Sequence, residues 1–434
     1  MLVPQLPEHF LHYIWQFQLF EHQQLQTTRG QSIQIVQTGI LNKHAGPDFS
    51  DARIQLDQTL WAGHVEIHKK SSDWLKHQHQ EDAAYDNVVL HVVYEDDHTI
   101  YRQDGTAIPT LELKGKIAET YIKKYWLLLQ AKQWIPCQTQ FEGILESPRL
   151  ALWLDRLVIE RLEQKTQPIH NLLEHNNNNW EQSFYQFLAR GFGAKVNAEP
   201  FEQLAKSIPL LVLAKHKNNL VQLEAFLFGQ AGLLDKDFEE EYPLQLKKEY
   251  SFLQKKYKLS PIKRASWKFG RIRPANSPTI RIAQFAKLIH QSTHLFSKIL
   301  EVDTIQDIHG LFEVKLQDYW LKHYQFDKET TKRNKSLGKN AVDLLLINTI
   351  IPFLFVYAKA KADESYQDKA LKWLAALPAE KNSIISNWED LGIKVSSAQD
   401  SQALLQLKNV YCNEKRCLEC TIGDRIMKGK LDSE

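Results

Sequence analysis

One run of eight residues, Val88–Glu95 (VVLHVVYE), limits the fold more than any other feature of the chain. Apolar side chains fall on both of its faces, and a strand of that kind needs cover on both sides. It is predicted to lie in the middle of a sheet flanked by helices. Gly63–Lys69 alternates instead, with Val65 and Ile67 on one face and His64, Glu66 and His68 on the other. Ser32–Leu41, Ala52–Trp61 and Ala107–Leu113 read as further strands. Residues 7–22 carry Phe10, Ile14 and Phe17 at helical spacing, and Lys116–Trp134 reads as a long helix that stops before Pro136. Ser71–Asn87 opens on serines suited to capping a helix. The order helix, three strands, helix, buried strand predicts an α/β domain with a mixed sheet.

After Cys137 the pattern turns helical. Leu150–Gln164, Trp180–Ala189, Pro200–Lys206, Leu220–Leu234, Arg281–Leu300, Ile308–Tyr324, Ala341–Lys361, Asp368–Ala376 and Ser401–Val410 all read as helices. The expected fold is an α/β N-terminal domain over residues 1–138, followed by a mostly α-helical region over 139–434. A chain of 434 residues suits two or three cores. A net charge of only +2 gives no global attraction for polyanions, so any nucleic-acid surface must be local. The N-terminus has no basic stretch ahead of an apolar one and does not read as a signal peptide. The most apolar segment, Ala341–Ala358, includes Asp343, Asn348 and Pro352 and reads as a buried helix rather than a membrane span. With four cysteines in the whole chain, a reducing, cytoplasmic setting with no membrane partner is expected.

The chemistry concentrates in Asn42–Glu95. Asp48, in Gly46–Pro47–Asp48–Phe49, precedes one strand, Glu66 lies inside the next, and His68 shares the face of Glu66. Two carboxylates from adjacent strands suit a hard divalent ion such as Mg²⁺ or Mn²⁺, which can stabilise charge on a phosphate. This spacing resembles the PD-(D/E)XK nuclease superfamily, whose core runs αβββαβ. The resemblance implies Asp48 and Glu66 as metal ligands, with Glu8 or Glu21 of the first helix at the edge of the site. His68 occupies the family's lysine position, and Lys70 returns to the same face one step further on.

Histidines are dense here as well: His44, His64, His68, His77, His79 and His91. A zinc or manganese site drawing on His64, His68 and one other is the alternative ligand set. His77 and His79 cannot share one face of a helix.

Cys412, Cys417 and Cys420 form C-x4-C-x2-C, and Cys137 stands alone just after the α/β domain. Four thiolates suit a [4Fe–4S] cluster or tetrahedral Zn²⁺. The arrangement resembles the iron–sulfur staple of certain helicase-associated and CRISPR-associated nucleases. It would clip the chain end back to the α/β domain.

Pro261–His290 holds Lys263, Arg264, Lys268, Arg271, Arg273, Arg281 and Lys287 without an acidic residue, interleaved with Trp267 and Phe269. Arginines reach phosphates and aromatic rings stack on unpaired bases, so DNA is the expected partner. A second basic stretch carries Lys328, Lys332, Arg333, Lys335 and Lys339. Taken whole, the chain resembles a family of bacterial proteins known only as a domain of unknown function. FLHYIWQFQLF, NKHAGPDF, the block from Trp61 to Glu95, WIPC, RIRPANSPTIRIAQFA and YCNEKRCLECTIG carry that resemblance. Three functions stay open at this point: a metal-dependent nuclease, a catalytically silent nucleic-acid-binding or assembly protein, and a zinc hydrolase using the histidines.

Overall fold

The computed structural model describes residues 6–141 and 148–429, and divides the chain into two compact units. The first unit joins Met1–Leu150 to Asn409–Glu434, and the second is Ala151–Lys408. The boundary expected at residue 138 is therefore corrected. The Cys-rich chain end belongs to the α/β unit, not to the helical one.

The first unit opens with helix α1 (Glu8–Gln16), which buries Phe10, Leu11, Tyr13, Ile14 and Trp15. A mixed sheet follows, built among the described residues from β1 (Ile33–Gln37), β2 (Ile40–Leu41), β3 (Phe49–Leu56), β4 (Thr59–Lys70), β5 (Val88–Glu95) and β6 (Thr110–Glu112). Its order is β1-β3-β4-β5-β6, with β2 also paired to β3. β1, β3 and β4 are antiparallel, whereas β4–β5 and β5–β6 are parallel. The doubly apolar β5 is central, as its composition requires, and Val88 through Val93 are buried without interruption.

Local chemistry moves several boundaries. Ala52–Trp61 is not one strand. The chain reverses at Asp57, where φ is +52°, so Leu56 pairs directly with Thr59 across a two-residue hairpin turn. Leu60 and Trp61 consequently lie on an exposed ribbon. The crossover from β4 to β5 is only partly helical: α2 spans Asp73–Lys76, and two 3₁₀ turns cover His79–Glu81 and Ala83–Tyr85. Trp74 from α2 packs with Val88, Ile100 and Ile108 under this crossover. Helix α3 is Glu119–Gln130. The last helix, Thr421–Lys428, lies against α1 and α3 of the same unit: Tyr13 Oη donates to Asp424 Oδ1 at 2.9 Å, and Lys124 Nζ to the Met427 carbonyl at 3.3 Å.

The second unit is mostly helical. Among the helices the periodicity missed is Glu241–Tyr257, which buries Pro243, Leu246, Tyr250 and Leu253 at spacings of three and four. Lys339–Lys361 is one helix of 23 residues, long and apolar enough to cross a membrane, and most of its apolar window is buried inside the unit. Its middle, Leu346–Ile350, widens into a π-helix just before Pro352. Pro352 has no N–H, so the Ile347 carbonyl loses its i+5 donor; Lys165 Nζ lies 3.3 Å from that oxygen and supplies a proton instead.

Candidate metal centre

Asp48 is set in place by its own loop. Asn42 ties the turn together: its Nδ2 donates to the Ala45 and Pro47 carbonyls at 3.2 and 3.1 Å, its Oδ1 accepts from the His44 N–H at 2.9 Å, and its own N–H donates to the Asp48 carbonyl at 2.7 Å. Gly46 turns there at φ +102°, a conformation glycine adopts without a Cβ penalty. The two carboxylates then interlock through the backbone. Asp48 N–H donates to Glu66 Oε2 at 3.0 Å, and Ile67 N–H donates to Asp48 Oδ2, also at 3.0 Å.

Around Glu66 the histidines close in. His79 Nε2 stands 3.3 Å and His68 Nε2 3.5 Å from Glu66 Oε1. His68 Nε2 lies 3.1 Å from His77 Nδ1, and His68 Nδ1 lies 2.9 Å from His91 Nε2. One ligand atom from each of His68, His77 and His79 falls within 4.8 Å of the others. What permits this is the break in the crossover. The helix ends at Lys76 and Gln78 takes φ +60°, so His77 and His79 both turn toward His68 although a continuous helix would part them. Trp74 meets His68, His79 and His91 edge-on, and Tyr85 stacks on His79 at 3.9 Å.

Burial sets the electrostatics. Glu66, at 4% exposure, has its pKa pushed up to about 7, first by desolvation and then by the charge of Asp48, against the opposing pull of His79 and the Asp48 amide. His68 is pushed down to about 2 by burial and then by its histidine neighbours, and His91 to about 3 by burial and His79. Both rings are therefore neutral at physiological pH. His12 of α1 is the neighbour of Asp48 that the spacing argument missed. Burial would depress its pKa, but Asp48 Oδ2 at 3.2 Å, with Glu8 and Glu66 beyond, outweighs that and raises it. The only trace of His12 in the sequence is its place four residues after Glu8 on the first helix.

Other expectations divide. Glu21 lies outside α1, with its N–H on the Lys116 carbonyl. Lys70 Nζ sits beside Glu95 and Asp97, at 3.8 and 3.6 Å. His44 is exposed, and His64 is not part of the convergent group. Burial raises the Cys137 thiol to about 12, with Cys420 and Cys417 adding to it, and raises Cys417 likewise, with Cys420 adding. Those three cysteines are therefore close enough to feel one another's charge. Cys420 caps the last helix and its N–H donates to the Cys417 carbonyl at 3.2 Å.

In the second unit, Lys263, Arg264, Lys268, Arg271 and Arg273 are exposed. Trp267 is corrected: it is 5% exposed, and its Nε1 donates to the Ala231 carbonyl at 2.9 Å, so no base can stack on it. Arg281 is half-buried and donates to Gln284 Oε1 and Asn276 Oδ1. Lys335 is buried, with Nζ on the Trp320 and Leu321 carbonyls. The two basic stretches do meet: Arg264, Phe269 and Lys328 line one cleft together with Lys236.

No curated protein and no solved structure matches this chain. Residues 8–383 match the family described as protein of unknown function, DUF2851, and that span takes in the whole carboxylate–histidine centre; the chain belongs to this family.

Proposed function

We propose that the protein is a metal-dependent phosphodiester hydrolase, a nuclease-like enzyme acting on DNA. The observation that carries this reading is the interlocked pair Asp48–Glu66, with each carboxylate fixed by a backbone N–H from the other's neighbourhood. The topology supports it: a helix, an antiparallel trio β1, β3 and β4, a crossover, and β5 parallel to β4 follow the order of the PD-(D/E)XK core. A divalent ion bound at Glu66 would polarise a phosphate and activate water. The chain's own residues do the rest. Asp48 orients His12, and the raised pKa of His12 suits it to give a proton to a leaving oxygen near neutral pH. When protonated, His12 would supply the positive charge that neutral His68 cannot.

The cleft of Lys236, Arg264, Phe269 and Lys328 and the exposed Arg271 and Arg273 are the proposed DNA contacts. Cys137, Cys412, Cys417 and Cys420 are proposed as a second site for a [4Fe–4S] cluster or zinc, a staple for the chain end.

The test is cleavage of single- and double-stranded DNA by purified protein in Mg²⁺, Mn²⁺ or Zn²⁺. Asp48→Ala and Glu66→Ala are each expected to lower the rate by about 100-fold or more, and the double variant no further, because the site acts as a unit. Wild-type cleavage by Glu66→Ala would sink the assignment. Arg271→Ala with Arg273→Ala should weaken DNA binding and reduce its salt slope by about one per residue. An unchanged slope would return that segment to a solvated surface.

A further inference from the structure

We infer that Glu66 Oε1, His68 Nε2, His77 Nδ1 and His79 Nε2 form a tetrahedral site for a transition-metal ion of the zinc class. The inference rests on the hydrolase reading for what the ion would do, and on ligand geometry for where it sits. Zinc bonds to nitrogen and oxygen are about 2.0–2.1 Å long, which makes the edges of a zinc tetrahedron about 3.3 Å. The separations here are 3.1 Å for His68–His77, 3.3 Å for Glu66–His79 and 3.5 Å for Glu66–His68. The three imidazole rings are spaced almost evenly, at 5.0, 5.3 and 5.3 Å between centroids, as a tripod around one point would be.

A hydrogen-bonded cluster explains the arrangement less well. His79 Nε2 is buried and faces Glu66 Oε1 at 3.3 Å, a contact too poorly aligned to be a well-formed hydrogen bond. A buried ring nitrogen held only by a misaligned contact is poorly satisfied, and a metal ion taking its lone pair would satisfy it. His79 is oriented by packing, between Tyr85 and Trp74, which leaves Nε2 available. His68 is oriented from behind: with its proton on Nδ1 it donates to His91 Nε2, and Nε2 is left as a ligand atom. That is the outer-shell hydrogen bond that fixes the tautomer of a metal-bound histidine.

The donor set selects the ion. Mg²⁺ takes hard oxygens and keeps several waters, whereas three imidazoles with one carboxylate suit zinc and its neighbours. Glu66 and His68 are buried and His77 is exposed, so His77 marks the corner at which solvent or substrate can reach the ion.

The experiment uses the full chain, stripped with a chelator and titrated with Zn²⁺, then Co²⁺. One equivalent of Co²⁺ should give the intense visible bands of a tetrahedral nitrogen–oxygen site, without the near-ultraviolet thiolate charge transfer that a cysteine site would show. His79→Gln and Glu66→Gln should each lower affinity for this equivalent by about 100-fold or more, because outer-shell changes alone cost 10- to 100-fold. His68 is buried and its replacement can unfold the domain, so exposed His77→Ala, checked by circular dichroism, is the second probe; it should keep the fold and weaken binding. The inference is overturned if no thiolate-free equivalent binds, or if His79→Gln and His77→Ala bind as the wild type does. DNA cleavage in Mg²⁺ by a protein that binds no zinc here would overturn the inference and leave the hydrolase reading standing. Zinc binding lost in these variants, in a protein that cleaves nothing, would do the reverse.

Discussion

A side chain's chemistry here is set by what its burial allows. His68 is 1% exposed and surrounded by other imidazoles, so it stays neutral. Glu224, in the second unit, shows the same effect on a carboxylate. It is 1% exposed, accepts from Trp320 Nε1 at 3.0 Å and pairs with the Tyr242 hydroxyl, and burial pushes its pKa from 4.5 up to about 8. The folded state therefore holds a proton that the unfolded chain has released above 4.5. The stability contributed by that proton is complete below pH 4.5 and is lost as pH rises to about 8, by at most about 1.4 kcal/mol per pH unit. Glu224→Gln keeps the shape and the acceptor for Trp320, and should remove that share of the slope. Urea denaturation at several pH values between 5 and 8 reads it directly; parallel slopes for the two proteins would contradict the expectation.

Among the elements, the β4–β5 crossover departs furthest from its sequence pattern, and the departure brings the histidines of the candidate metal centre together. As one helix, residues 71–87 would set His77 and His79 about 200° apart. The left-handed residue Gln78 ends that geometry and brings both rings to β4. Nothing in the local pattern marks Gln78 for this role, because glutamine rarely takes positive φ. The cysteine turn has a sequence marker. A Cβ on Gly423 would lie 2.0 Å from the Cys417 carbonyl oxygen and 2.7 Å from its carbon. Backbone atoms cannot yield as a flexible side chain would, so Gly423→Ala should cost about 1–3 kcal/mol. It should also lower the metal content of the proposed cysteine site, measured beside the thermal midpoint. An unchanged midpoint with full metal content would show that the turn has room.

For the whole molecule, the second unit is an insertion within the first. Residues 409–434 return to the α/β unit after 258 residues have folded elsewhere, from 151 to 408. The last helix buries Ile422, Ile426 and Met427, each worth about 1.5–3 kcal/mol when fully withdrawn from water. Truncation after Lys408 should therefore unfold the α/β unit at a lower temperature and leave the helical signal of the second unit in place. Two transitions by circular dichroism, with early proteolysis within residues 1–150, is the expected outcome. A single transition at the full-length temperature would refute it.

The sequence by itself determined the sheet, its central strand and the shared strand face of Glu66 and His68. Alternation in Gly63–Lys69 and apolar continuity in Val88–Glu95 are backbone periodicities, and they reach the same answer in any surroundings that bury them. The pairing of Asp48 with Glu66 was legible for the same reason, since both positions are fixed by neighbouring strands. Only the tertiary structure decided that His12 would approach Asp48, that Trp267 would be buried and that His77 and His79 would converge on His68. Each of these depends on how one element packs on another, and packing joins residues whose separation along the chain carries no signal.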